Sequence, residues 1–217
     1  MKKVSVIIAT YNCAEYISEA IDSVISQTFQ DFEIIIVDDG STDDTRKILD
    51  HYLNNYDNIK YIYQENQGPG IARNIAIENS KGEYIAFLDA DDMWFQDRLE
   101  IGVKILDEDS EIGLVHGIDI NLLANGKLIN NNQKTKRNKL SGYIADDLLL
   151  RKIHINGGTV LFRRECVKKV GLIDENLSKI GVEDRDLWYR IAREYKVKFV
   201  NKPMAYYRVR KNSMSKN

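Results

Sequence analysis

Three acidic groups in the 217-residue sequence follow apolar or turn-like stretches: Asp38-Asp39-Gly40-Ser41, Asp89-Ala90-Asp91-Asp92 and Glu183-Asp184. Clustered carboxylates repel one another. A hard divalent cation such as magnesium or manganese relieves that repulsion, because it takes oxygen ligands and bridges to the phosphates of a bound nucleotide. Alternation along an extended chain puts Asp89 and Asp91 on one side and turns Asp92 away, which makes Asp91 the first metal ligand and Asp89 its companion. The competing reading of the triplet is a solvated turn, or a cap for the helical stretch that begins near Arg98. Glu183-Asp184, taken by itself, reads as first-turn acids that complement a helix dipole.

These groups need elements to position them. Val4 to Ala9, Phe32 to Val37, Ile59 to Tyr63 and Tyr84 to Leu88 are short β-branched or aromatic runs ending in polar turns, the pattern of buried parallel strands. Between them, Ile17, Ala20, Ile21, Val24 and Ile25 recur at helical spacing, as do Ile48, Leu49, Tyr52 and Leu53 after the Ser41-Thr42-Asp43-Asp44 cap. A third helix is expected after Gly70 and ends at Gly82 as a left-handed stop; a fourth covers Leu99 to Leu106. Alternating strands and helices imply an open parallel sheet that binds ligands beyond the carboxyl ends of its strands. Thr10, Tyr11, Asn12, Asp39, Asp89, Ala90 and Asp91 all fall on that rim.

After Ile112 to His116 the pattern changes. Asn125-Gly126 between Ile118 to Leu123 and Lys127 to Ile129 is an antiparallel hairpin signal. A helical stretch near Asp146 to Leu150, a strand near Thr159 to Phe162 and a helix from Glu183 or Asp184 to Glu194 follow, with Trp188 and Tyr189 read as helix packing. No repeat or linker separates the halves, so residues 1–217 read as one domain with subregions 1–115 and 116–217.

Val4-Ser5-Val6-Ile7-Ile8-Ala9-Thr10-Tyr11-Asn12, Ile36-Val37-Asp38-Asp39-Gly40-Ser41, Ala72-Arg73-Asn74, Phe87-Leu88-Asp89-Ala90-Asp91-Asp92, Glu183-Asp184-Arg185-Asp186-Leu187-Trp188 and Tyr207-Arg208 occur in that order. Together they resemble the family-2 glycosyltransferases of the GT-A fold, over almost the whole chain. The resemblance implies an α/β GT-A architecture: a Rossmann-like nucleotide-binding half with a mostly parallel sheet, and a mixed acceptor-binding half. It implies an inverting, metal-dependent transfer from a nucleoside-diphosphate sugar, a UDP-sugar by preference, to a hydroxyl of a saccharide or lipid-linked acceptor in cell-surface polysaccharide synthesis. Thr10, Tyr11 and Asn12 then lie at the nucleotide, Asp39 accepts from the uracil imide, Asp38 holds the loop, Arg73 lies close to the diphosphate, Asp89, Ala90 and Asp91 form the metal corner with manganese or magnesium, and Asp184 beside Glu183 serves as base. Many relatives carry a histidine two residues after the Tyr-Arg pair; here Arg210 stands in that place. Arginine cannot ligate a metal, but it can clamp the diphosphate, with Ser213 and Ser215 as nearby donors.

Other chemistries fit less well. Gly68-Pro69-Gly70 before Arg73 lacks the third glycine of a dinucleotide loop and follows the third strand, not the first, although a helix N-terminus there favours phosphate; Arg73 pairing with a neighbouring carboxylate is the plainer alternative. A sugar-nucleotide pyrophosphorylase calls for a glycine-rich basic loop after the first strand, where this chain has Thr10-Tyr11-Asn12-Cys13. A non-catalytic nucleotide-sugar-binding module calls for loss of the base or metal residues. His51, His116 and His154 lack ligand spacing. With 31 basic and 33 acidic residues the formal charge is −2, which gives no footprint for nucleic acid; the basic run Lys134, Lys136, Arg137, Lys139 reads as solvated loop. Cys13 and Cys166 form no framework and suit a reducing compartment. With no apolar stretch long enough to span a bilayer, the expectation is a cytoplasmic protein with at most peripheral contact at the inner face of the membrane.

Overall fold

The computed structural model describes residues 2–123, 126–129, 140–178 and 181–210. The first half alternates β1 (Val4–Thr10), α1 (Ile17–Ile25), β2 (Phe32–Asp38), α2 (Thr45–Asn55), β3 (Ile59–Tyr63), α3 (Pro69–Glu78) and β4 (Tyr84–Phe87). Then come β5 (Met93–Trp94), α4 (Arg98–Glu108), β6 (Ile112–Leu123), β7 (Leu128–Ile129), α5 (Ala145–Leu149), a 3-10 turn at Gly157–Thr159, β8 (Leu161–Arg163), α6 (Arg164–Val170), α7 (Glu175–Ser178), α8 (Glu183–Glu194) and β9 (Lys196–Val209). The strands lie in the order β3-β2-β1-β4-β8-β6-β9-β5, with β7 on β6. β1 pairs parallel with β2 and β4, and β2 with β3.

Period-two alternation in β1 explains the layers. Val4, Val6 and Ile8 pack with Ile17 and Ile21 of α1 and Leu49 of α2 on one side of the sheet. Ile7 meets Ala72 and Ala76 of α3 and Leu187, Trp188 and Ile191 of α8 on the other. Each fully buried aliphatic side chain contributes about 1.5–3 kcal/mol, so both helical layers are pinned to the rim that carries the acidic turns. Trp188 packs between Phe87 and Phe162, ring centroids 5.7 and 5.6 Å away.

Two expectations need correction. α3 begins at Pro69 and stops at Glu78, and Gly82 takes no left-handed φ; a Cβ on Gly82 would lie 2.5 Å from the Ser5 backbone nitrogen, so glycine is required there by close approach to β1. Asp89 to Asp92 is a turn and no extended strand end, closed by the Asp92 N–H donating to the Asp89 carbonyl at 3.0 Å. The β6–β7 pair is antiparallel, with Asn121 opposite Ile129, but the main partner of β6 is β9, which runs parallel to it from Ile112 opposite Lys196 to Leu123 opposite Val209. Asn125, the basic run from Lys134 to Lys139, Ser213 and Ser215 lie outside the described residues.

Candidate active site

The carboxyl ends of β1 and β2 are stitched into one surface. Asn12, at a left-handed φ of 50°, accepts on Oδ1 from the Thr42 N–H at 2.7 Å, and its own N–H donates to Ser41 Oγ at 2.9 Å. Asp38 receives the Ser41 N–H at 2.8 Å and the Tyr61 hydroxyl at 3.0 Å, so it does hold the loop. Thr10 is buried, while Tyr11 beside it is exposed.

Asp39 is buried and already engaged. Oδ1 accepts from Gln64 Nε2 at 2.6 Å and the Gln67 N–H at 2.8 Å, and Oδ2 accepts from the Gly68 N–H at 2.9 Å. A carboxylate offers about four lone-pair sites, so three bonds leave capacity for one further donor. Through these contacts Asp39 fixes the approach to α3, and α3 carries Arg73.

Arg73 joins two acidic groups that are far apart in sequence. Its Nη2 lies 2.8 Å from Asp89 Oδ1 and its Nη1 lies 3.1 Å from Glu183 Oε1. Burial works against its charge, but Asp89, Glu183 and Asp184 hold its pKa above the ordinary value. The carboxylate-pairing reading of Arg73 is therefore the geometry observed. Its neighbour Asn74 ties α3 to the second half by exchanging two bonds with the Ile173 backbone, Nδ2 to the carbonyl at 2.9 Å and Oδ1 from the N–H at 3.0 Å.

In the turn after β4, Asp91 Oδ2 meets Arg210 Nη2 at 2.6 Å. Burial raises the Asp91 pKa, Asp89 adds to that, and Arg210 opposes it. Asp92 is driven further up by burial and by Asp89 and Asp91; its Oδ1 accepts the Arg208 N–H at 2.8 Å. Arg208 also donates through Nε to the Asp91 carbonyl at 2.8 Å and through Nη2 to Glu19 at 2.6 Å. Thus β9 clamps the turn from outside. Arg208 and Asp92 were not among the site residues expected from sequence; the Tyr207-Arg208 pair was the available signal for the first.

No group of three or more His, Cys, Asp or Glu side chains converges to cage a metal among the described residues. The donor set nevertheless suits magnesium or manganese: Asp89 and Asp91 are oxygen donors, mutual repulsion favours a cation between them, and such ions are commonly held by one or two carboxylates with substrate phosphates completing the shell.

Glu183 and Asp184 open α8, the former buried and paired to Arg73, the latter partly buried. Burial raises the pKa of both, with Arg73 opposing. Asp184 Oδ1 accepts from the Arg185 N–H at 2.6 Å, while Oδ2 faces the turn at Gly157. The structure thus brings Arg73, Asp89, Glu183 and Asp184 into one electrostatic group, and Asp91, Asp92, Arg208 and Arg210 into another that shares the 89–92 turn. Thr10, Tyr11, Asn12 and Asp39 lie on the β1–β2 side of the rim.

The glycosyl transferase family 2 model matches residues 5–171. An uncharacterized glycosyltransferase of Nostoc sp. is 38% identical over 211 residues, 95% of this chain and 65% of that protein. Chondroitin synthase of Escherichia coli is 38% identical over 128 residues, 59% of this chain and 19% of its own length. Staphylococcus aureus TarS in complex with UDP-GlcNAc superposes with a TM-score of 0.75 at 26% identity, over 97% of this chain and 60% of that one. The mannosyltransferase PcManGT of Pyrobaculum calidifontis in complex with GDP-Man and Mn2+ shares the fold, with a TM-score of 0.76 at 22% identity over 98% of this chain and 58% of that one. The chain therefore spans about two thirds or less of the length of these relatives. By its matched residues, its GT-A architecture and the order of its acidic turns, the chain belongs to glycosyl transferase family 2.

Proposed function

We propose that this chain transfers a sugar from a UDP-sugar to a hydroxyl of a saccharide or lipid-linked acceptor, with inversion at the anomeric carbon and with magnesium or manganese, in cell-surface polysaccharide synthesis. The observation that carries the reading is the Arg73 bridge: one guanidinium reaches Asp89 at 2.8 Å and Glu183 at 3.1 Å, which sets the turn suited to a diphosphate-bound cation beside the start of α8, where Asp184, next to Glu183, is suited to receive a proton. The UDP-GlcNAc held by TarS supports the nucleotide, the Mn2+ in PcManGT supports the cation in this fold, and chondroitin synthase supports a polysaccharide product. Residues 1–217 act in this reading as one unit, 1–115 for the donor and 116–217 for the acceptor. The buried free thiols Cys13 and Cys166 suit a reducing compartment such as the cytoplasm, and no helix among the described residues is long and apolar enough to cross a membrane.

Thr10, Tyr11 and Asn12 border the base and ribose, and Asp39 offers its remaining lone pair to the uracil imide. Asp89 and Asp91, with the Ala90 backbone between them, would hold the cation. When bound, that cation supplies neutralisation of the charge growing on the diphosphate, so the leaving group needs no separate acid. Arg210 turns from Asp91 to a phosphate oxygen. Asp184 takes the proton of the acceptor hydroxyl as its oxygen forms the new bond to the anomeric carbon; the bond to the diphosphate breaks on the opposite face, and UDP leaves with its electron pair.

Asp91→Asn and Asp184→Asn separate the two halves of the site. Calorimetry with UDP and manganese should show binding lost in the first and kept in the second, while product formation from UDP-GlcNAc, UDP-glucose or GDP-mannose should vanish in both. Near-normal turnover in both variants would refute the assignment, and retained anomeric configuration in the product NMR spectrum would exclude single displacement.

A further inference from the structure

The turn Gly157–Thr159 is held rigidly by its surroundings. Asn156 Oδ1 accepts the Gly158 N–H at 2.9 Å and the Asn156 carbonyl accepts the Thr159 hydroxyl at 2.8 Å. From the sheet side, Trp94 Nε1 donates to the Gly158 carbonyl at 2.9 Å, and Arg98 donates to the Val160 carbonyl at 2.6 Å with its guanidinium carbon 3.6 Å from the Trp94 ring centroid. Arg98 is only 2% exposed, and burial works against its charge, with the Val160 carbonyl and the Trp94 ring face as its contacts. The pair fixes both carbonyls that leave the turn.

The other face of this turn borders the chemistry. A Cβ on Gly157 would stand 3.6 Å from Asp184 Oδ2 and 4.0 Å from Trp188 Cζ2, and outside its chain neighbours nothing else among the described residues lies within 4 Å. A Cβ on Gly158 would stand 3.5 Å from Asp92 Oδ2, a buried oxygen with no hydrogen-bond partner among the described residues. The turn therefore lies between the carboxylates of the 89–92 corner and the carboxylate of α8. Gly157 does not take a left-handed φ, and 3.6 Å is ordinary van der Waals contact. Neither backbone conformation nor packing among the described residues demands glycine at 157. What a side chain there would occupy is the space in front of Asp184 Oδ2.

We propose that Gly157 is a specificity-determining residue: its bare Cα keeps open the approach by which an acceptor saccharide brings its hydroxyl to Asp184. This rests on the reading of Asp184 as the base. A water molecule still passes a small side chain at 157, whereas a sugar ring does not, so substitution discriminates by acceptor size. Excluding even one or two carbons from a fitted site costs about tenfold or more in kcat/KM.

The test compares the wild-type chain with Gly157→Ala and Gly157→Val in the presence of manganese. UDP-GlcNAc, UDP-glucose and GDP-mannose serve as donors, and water or p-nitrophenyl glycosides of glucose, galactose and N-acetylglucosamine as acceptors. The expected result is a glycoside KM that rises with side-chain size, about tenfold or more for valine, with donor hydrolysis persisting and UDP affinity by calorimetry within about twofold, which also shows that the variants fold. If valine perturbs folding, the alanine variant carries the same graded expectation. Unchanged glycoside KM in folded variants overturns the proposal, as does a rise confined to the donor KM, which would place the donor sugar at this turn. A wild-type chain that turns over no donor strikes the transferase reading itself, and the inference falls with it.

Discussion

Arg210 Nη2 lies 2.6 Å from Asp91 Oδ2, so a fixed positive charge already sits on the carboxylate expected to hold the metal. Arginine presents only donors and never deprotonates in a protein, so Arg210 acts as a charge and cannot act as a ligand. Its pull on Asp91 keeps that carboxylate more acidic than burial and Asp89 alone would leave it. In the proposed site a diphosphate entering this corner would compete with Asp91 for the same guanidinium.

Arg210→Ala should therefore weaken UDP binding. A hydrogen bond to a charged group contributes about 1.5–3 kcal/mol, which corresponds to roughly tenfold to a hundredfold in affinity. Calorimetry with UDP and manganese measures it directly, and Arg210→Lys should recover part of the loss. UDP affinity unchanged in the alanine variant would retire the clamp.

Arg73 predicts a pH effect with a definite sign. Burial raises the Asp184 pKa and the Arg73 charge lowers it. In the proposed mechanism transfer needs Asp184 ionised, so activity should rise with pH through that pKa. Arg73→Leu removes the opposing charge, and the acid limb of kcat/KM should move to higher pH; Arg73→Lys keeps the charge and should leave the limb near its original position. A limb that stays fixed or moves to lower pH in the leucine variant would show that Asp184 does not control it.

The first half was legible because buried parallel strands announce themselves as unbroken apolar runs, and β1, β2 and β3 were found within a residue of their bounds. The acidic corners were legible for a related reason, since chemistry at strand ends concentrates charge where the apolar pattern stops. β9 was not. Its Lys196-Val197-Lys198 start, Asn201-Lys202-Pro203 interior and Tyr206-Tyr207-Arg208 end give no sustained alternation, because its neighbours change along its length from β6 and a bridge to Gly142 at Val197 to β6 and β5 at Ala205 and Tyr206. The clamp by Arg208 depends on that strand. Gly157 was equally silent, because an absent side chain leaves no signal until its neighbours are known.

His116 supplies a stability test that involves none of the acidic side chains of the site. It is 1% exposed, its ring lies 5.4 Å from that of Phe199, and its Nε2 has no hydrogen-bond partner among the described residues. Burial, with a smaller electrostatic contribution from neighbouring His154, lowers its pKa from 6.5 to about 4. Because the folded state resists protonation, the unfolded chain binds the extra proton first as pH falls. The stability held by neutral His116 is fully present above pH 6.5 and is lost progressively as pH falls toward 4, reaching about 3 kcal/mol. His116→Leu removes the titration while keeping an apolar side chain beside Phe199. In urea unfolding, wild type should lose about 1 kcal/mol more than His116→Leu between pH 7 and pH 5.5. Parallel pH dependence in the two proteins would mean that His116 finds a proton-stabilising partner or reaches water in the folded state.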